Sequence, residues 1–169
     1  MISKKMLEAI NKQINAEMYS AYLYLSMSAW YEGKNLGGFA QWYKVQAQEE
    51  MVHAMKFYGY VFEQGGQVTL LAIEGPPADF KSVLEIARKQ LEHEKKVTAM
   101  IVGLSDLAKK EKDYATDILL QWFITEQVEE EKNAEALIRK IEMVGDKGQA
   151  LYMLDKELGG RQFTSPAGK

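Results

Sequence analysis

Cysteine is absent from these 169 residues, which excludes a disulfide framework, a thiolate metal site and a redox thiol. Any metal held here is held by oxygen and nitrogen. Proline is scarce: Pro76, Pro77 and Pro166 are the only copies, so residues 1–75 and 78–165 carry none and long helices can run unbroken. No stretch is apolar for the ~20 residues that a membrane span needs, and the segment MISKKMLEAINKQ lacks the unbroken apolar core of a signal peptide. A cytoplasmic location without a membrane partner is expected. The formal net charge is −3 with acids and bases interspersed, which leaves no broad basic surface for nucleic acid. The length suits one domain spanning 1–169.

What is present reads as helix. Ser3 starts a first helix over about 4–33, and a second runs over about 38–65 to Gly65-Gly66. Ser82, with Glu85 three residues on, has the form of a capping box and opens a third helix over about 82–110. A fourth covers about 114–144 and a short fifth about 147–158, with an apolar side of Leu151, Met153, Leu154 and Leu158. Short links near 34–37 and 111–112 force antiparallel neighbours, whereas 67–81 is a long connection. A helix of ~28 residues is about 42 Å long, and ~14 extended residues reach about 46 Å. The connection can therefore cross the whole bundle, and the expected fold class is all-α: a four-helix bundle with one long crossover.

Apolar stripes run through Leu7, Ile10, Ile14, Ala21 and Ser28 on the first helix and Phe39, Tyr43, Phe57 and Tyr60 on the second. They continue through Leu84, Ala87, Leu91, Thr98 and Ile101 on the third, and Leu119, Phe123, Ala134, Leu137 and Ile141 on the fourth. Glu17, Glu50, His53, Glu94 and Glu130 interrupt those stripes, with Tyr24 two turns beyond Glu17 and Gln127 beside Glu130. An unpartnered carboxylate out of water costs several kcal/mol or neutralises by shifting its pKa. Two divalent cations would match the four carboxylates and leave neutral His53 as a nitrogen donor. A lone Glu-x-x-His pair is ordinary helix chemistry. Four helices each bringing a ligand-type group inward are not. His93, off the stripe, reads as exposed, and Trp30, Trp42 and Trp122 read as packing.

The segments Asn-Ala-Glu17-Met-Tyr-Ser-Ala-Tyr-Leu-Tyr24, Gln48-Glu49-Glu50-Met-x-His53-Ala and Gln-Trp-Phe-x-x-Glu126-Gln127-x-Glu129-Glu130-Glu resemble the non-haem ferritins of bacteria and archaea. Glu94 in the third helix and Leu-Asp-Lys-Glu-Leu before Gly159 extend the resemblance over nearly the whole chain. It implies a ferritin-like bundle in which Glu17, Glu50 and His53 hold one iron, and Glu50 bridges to a second held by Glu94 and Glu130. Gln127 is placed beside the second iron and Tyr24 near the pair, in a redox or hydrogen-bonding role. A third, looser iron position matches Glu49, Glu126, Glu129 and Glu130; Glu131 reads as a solvated acid.

The departures narrow the relatives. Gln127-x-x-Glu130 replaces a second Glu-x-x-His, which argues against a bacterioferritin-type site. Met51 sits where bacterioferritins carry a haem-ligating methionine, but haem-free ferritins share it, and haem is not expected. The missing cysteine removes the usual rubrerythrin form. A miniature ferritin has its iron site between subunits and lacks this fifth helix.

The resemblance implies an iron-storage ferroxidase: Fe(II) oxidised by dioxygen at a diiron centre, and Fe(III) mineral kept in a homo-oligomeric shell of 24 subunits, with the fifth helix at a symmetry axis or on its own bundle. By donor chemistry alone manganese or zinc also fits. Asp113 and Asp117 either line an iron pore or are ordinary helix-start acids. Two other readings stay open here, a diiron oxidase or peroxide reductase of small oligomeric size and a metal-free helical interaction protein.

Overall fold

The computed structural model describes residues 2–165. Its helices are α1 (Lys4–Glu32), α2 (Gly37–Glu63), α3 (Val83–Glu111), α4 (Tyr114–Val144) and α5 (Gly148–Leu158), so each boundary lies within two residues of the predicted one. Among the described residues there is no strand, and no helix is long and apolar enough to cross a membrane.

The starts are fixed by side chains that satisfy free backbone N–H groups. Ser3 Oγ accepts from Met6 N at 3.0 Å, and Ser82 Oγ from Glu85 N at 3.1 Å. The Glu85 carboxylate accepts from Lys81 N, one residue before the place a reciprocal capping box would use. Asp113 Oδ1 accepts from Thr116 N at 3.1 Å and so caps α4, while Asp117 Oδ1 accepts from the Ser105 hydroxyl at 3.1 Å. Both acids thus have partners at the helix start.

Contacts along the crossover reveal its course. Asn11 donates through Nδ2 to Gln67 O and accepts through Oδ1 from Thr69 N; Asn15 Nδ2 donates to Ala72 O; Ser26 Oγ donates to Pro77 O. The connection therefore travels the length of α1 in the direction of α1, and the Tyr31 hydroxyl donates to Val83 O where α3 begins. Since α2 runs back along α1, α3 starts beside the start of α2, and the two are parallel as expected.

The apolar core forms two lobes. One, around Tyr24, Met27, Tyr31, Phe39, Tyr43, Ile86 and Leu137, is closed by Leu151, Leu154 and Leu158 of α5. The other gathers Met6, Ile10, Ile14, Phe57, Ile101, Leu120 and Phe123. In the sequence of each long helix the inward acid falls between the residues of the two lobes. Met153, read as part of the apolar side of α5, is instead 59% exposed, because the three- and four-residue steps put Leu151, Leu154 and Leu158 on one face and Met153 off it. The stripe also shifts by one residue on α4, where Leu120 is buried and Leu119 half-buried.

α5 lies on its own α2 and α4. Leu36 offers no side-chain cap to α2. Asp155 Oδ1 takes that role from a distance, accepting from Gly38 N at 2.9 Å and Phe39 N at 3.0 Å. A Cβ on Gly38 would stand 1.6 Å from Asp155 O, so glycine is what permits the close approach.

Candidate metal centre

α1 carries Glu17, α2 carries Glu50 and His53 one turn apart, α3 carries Glu94 and α4 carries Glu130. All five are at most 5% exposed. Glu17, Glu50 and His53 each offer an atom within 4.8 Å of the others, a grouping able to hold a metal ion. Glu94 and Glu130 lie outside that tight group, yet both act electrostatically on Glu50, as does Glu17. Glu50 is thus the carboxyl on which the charges of all three others act.

Neutral donors steer these groups. Gln13 Nε2 donates to Glu17 Oε1 at 2.8 Å, and Gln46 Nε2 to Glu130 Oε2 at 2.8 Å. Gln127 Nε2 donates to Glu94 Oε2 at 3.1 Å and lies 3.3 Å from Thr98 Oγ1. The Tyr24 hydroxyl donates to Glu94 Oε1. Among the described residues no lysine or arginine forms an ion pair with Glu17, Glu50, Glu94 or Glu130. Glu17 Oε2, Glu50 Oε1 and His53 Nε2 are buried and have no hydrogen-bond partner among the described residues.

Without a cation, burial favours the protonated form of all four acids. Burial pushes Glu17 up to about 7, opposed by Gln13, and pushes Glu130 up to about 8, helped by Glu94. Burial followed by the negative charges of Glu94, Glu17 and Glu130 holds Glu50 well above the carboxylate range, and burial raises Glu94 against Tyr24 and Gln127. His53, pushed down to about 4 by burial and then by Lys56, is a neutral imidazole at pH 7, and its Nδ1 lies 3.5 Å from Glu50 Oε2. Neutral imidazole and ionisable carboxyls without internal counter-charge form a donor set for hard or borderline divalent cations.

The residues of the looser position also gather. Glu49 is half-buried, and its carboxyl is raised by burial against the pull of Arg161, with Glu126 and Glu129 adding to the rise. Glu126 is buried and Glu129 exposed. Glu131 is half-buried and accepts from the Thr98 hydroxyl at 2.6 Å, a correction to its reading as a solvated acid. His93 is likewise half-buried: Ser20 Oγ lies 2.7 Å from its Nε2, and Tyr19 and Tyr24 pack on its ring. Trp122 stands edge-on to His53 at 5.5 Å, and Met51 is 43% exposed.

Three polar contributors were not singled out by the sequence. Gln13 sits four residues before Glu17, a spacing that places them on one helical face, and Gln46 lies on the α2 stripe; both signals were present. For Arg161, far along the chain from Glu49, there was none.

Residues 7–144 match the model of the ferritin-like domain family. The chain is 41% identical over 163 residues to the bacterial non-heme ferritin of Staphylococcus aureus, covering 96% of this chain and 98% of that protein. It is 42% identical, over the same shares, to that of Staphylococcus saprophyticus. An engineered closed form of the Archaeoglobus fulgidus ferritin superimposes with a TM-score of 0.96 at 50% identity, over 97% of this chain and all of that one. An open-pore ferritin from the same archaeon gives 0.94 at 49% identity, over 96% of this chain and 100% of that one.

Proposed function

We propose, from the premise that this chain belongs to the ferritin family, that it is an iron-storage ferroxidase: residues 1–169 form one subunit unit of a cytoplasmic homo-oligomeric shell that oxidises Fe(II) with dioxygen and keeps Fe(III) as mineral. One observation carries the reading. Four acids and a histidine, drawn from four helices and buried to within 5%, include a group of three able to hold an ion and two further acids that act on Glu50. Neutral donors surround them, and among the described residues no lysine or arginine forms an ion pair with them.

Iron is the substrate of this centre. Glu17, Glu50 and His53 take one Fe(II), and Glu94 and Glu130 the second, with Glu50 shared between them. Each Fe(II) gives one electron to dioxygen, and the protein's part is to hold the two ions close enough for both electrons to reach one molecule. Gln13, Gln46 and Gln127 aim single carboxylate oxygens, and the Tyr24 hydroxyl fixes Glu94. The raised carboxyls release their protons when iron arrives, so loading is coupled to proton release. Glu49, Glu126 and Glu129, with Glu130, form a third, weaker position on the way out. Fe(III) is the more acidic ion, hydrolyses water and mineralises, which requires an enclosed volume that one bundle lacks. A shell of 24 subunits supplies it. The relatives named as open-pore and closed forms fit a shell whose openings are set by sequence.

Replacing Glu50 tests the assignment. Glu50→Ala is expected to keep the helical circular dichroism signal and slow Fe(II) oxidation by about a hundredfold or more, since even supporting residues around a metal are worth about 10–100-fold. Unchanged stopped-flow kinetics would remove Glu50 from the centre.

A further inference from the structure

We infer that Arg161 is a tethered cation seated at the third metal position, and that it must withdraw before a metal ion binds there. Arg161 stands three residues beyond α5, yet its guanidinium reaches α2. Its Nη2 donates to Glu49 Oε2 at 2.6 Å, its Nη1 donates to Gln46 Oε1, and its carbon lies 4.1 Å from the centre of the Trp42 ring. The Arg161 and Glu49 side chains are 18% and 16% exposed, so water screens the pair only in part. Arg161 is also the positive charge that lowers both Glu49 and Glu130, while Glu126 and Glu129 raise Glu49. An acid cluster whose metal-free form holds an internal guanidinium has its counter-ion built into the chain.

Occupancy by arginine and by metal is mutually exclusive. The Glu49 oxygen that accepts from Nη2 gives its lone pair to the guanidinium and not to a metal, and a divalent ion beside a guanidinium is repelled in a partly desolvated setting. Withdrawal has a second consequence, because the Gln46 amide that accepts from Arg161 through Oε1 donates to Glu130 through Nε2 at 2.8 Å. Arg161 holds that amide in the orientation that serves Glu130. It is therefore a positioning residue for the second iron while it stays, and a competitor at the third position until it leaves. This explains in physical terms why the third position is the looser one.

The inference rests on the third position proposed above, and the test separates the two. Zn(II), which is redox-inert and accepts the same donors, is titrated calorimetrically into the full-length assembled protein and its R161Q and R161K variants, with circular dichroism confirming the fold. The ion held by Glu17, Glu50 and His53 is expected to bind alike in all three, whereas the one that needs Glu130, which Gln46 steers, is expected to bind more weakly in R161Q. The third is expected to bind at least about tenfold tighter in R161Q, with R161K near the parent, because charge-assisted hydrogen bonds are about twice as strong as neutral ones. Equal or weaker third-ion binding in R161Q makes Arg161 a simple anchor for the segment after α5 and overturns the inference. Failure of all three proteins to bind a third ion overturns the third position itself. In the unsubstituted protein the third Zn(II) equivalent should change the fluorescence of Trp42, a change that W42F lacks; an unchanged spectrum through that equivalent contradicts withdrawal without any change to Arg161.

Discussion

At the scale of the residue, the centre is governed by what burial does to charge. Glu17 near 7 and Glu130 near 8 stand above their ordinary 4.5, so the folded, metal-free chain binds more protons than the unfolded chain and loses stability as pH rises through those values. His53 and His93, held down to about 4, act in the opposite sense, but their contribution is complete above their ordinary 6.5. Between about pH 6.5 and about 8, therefore, the carboxyls set the slope. The denaturation midpoint of metal-free protein is expected to fall across that window, and that of Zn(II)-loaded protein to hold, because a cation replaces the protons. A midpoint that rises with pH in both forms would contradict this electrostatic picture. Gln13→Ala should slow Fe(II) oxidation about tenfold, a milder loss than Glu50→Ala, as removal of an orienting partner does. Glu50 and His53 were legible because a three-residue spacing on a helix announces a shared face. Arg161 was not, since nothing local ties a residue after the last helix to one on α2. His93 was misread because the stripe describes the bundle axis, whereas Ser20 and Tyr19 of α1 cover its flank.

At the scale of the element, α5 and the start of α2 stabilise each other. Asp155→Ala should cost about 1 kcal/mol, the usual value of a lost N-cap, whereas Asp155→Asn should keep most of it, because asparagine accepts the same bonds. Gly38→Ala is expected to cost more than either, since its Cβ would meet the Asp155 carbonyl at 1.6 Å and must push α5 off the bundle, exposing Leu151, Leu154 and Leu158. Hydrogen exchange of the α5 amides, read beside chemical denaturation, checks all three; a Gly38→Ala protein with native α5 protection would contradict the docking. The four long helices were legible from stripe, caps and the placement of proline, and the crossover from its length alone. The seat of α5 was not, because its apolar row fits a bundle flank or a symmetry axis equally well. The Asp155 bonds to Gly38 and Phe39, with the buried Leu151, Leu154 and Leu158, fix it on its own chain.

At the scale of the whole molecule, a polar waist between two apolar lobes explains how one bundle can be rigid and still carry four buried acids. Each lobe is packed independently: Tyr31 stacks on Phe39 and Tyr43 on one side, and Phe57 on Phe123 at 3.9 Å on the other. The ligands are thus held from both ends, and their charge is left for metal to satisfy. Storage is the property a single chain cannot show, because mineral needs a closed volume. The direct test is to add Fe(II) in air to the purified protein, in large excess over two per subunit, then size the product and assay its iron. Soluble Fe(III) far above three per subunit, carried on a particle of many subunits, is the predicted result. A small oligomer retaining about two irons per chain would contradict storage and make this bundle a diiron oxidase or peroxide reductase instead.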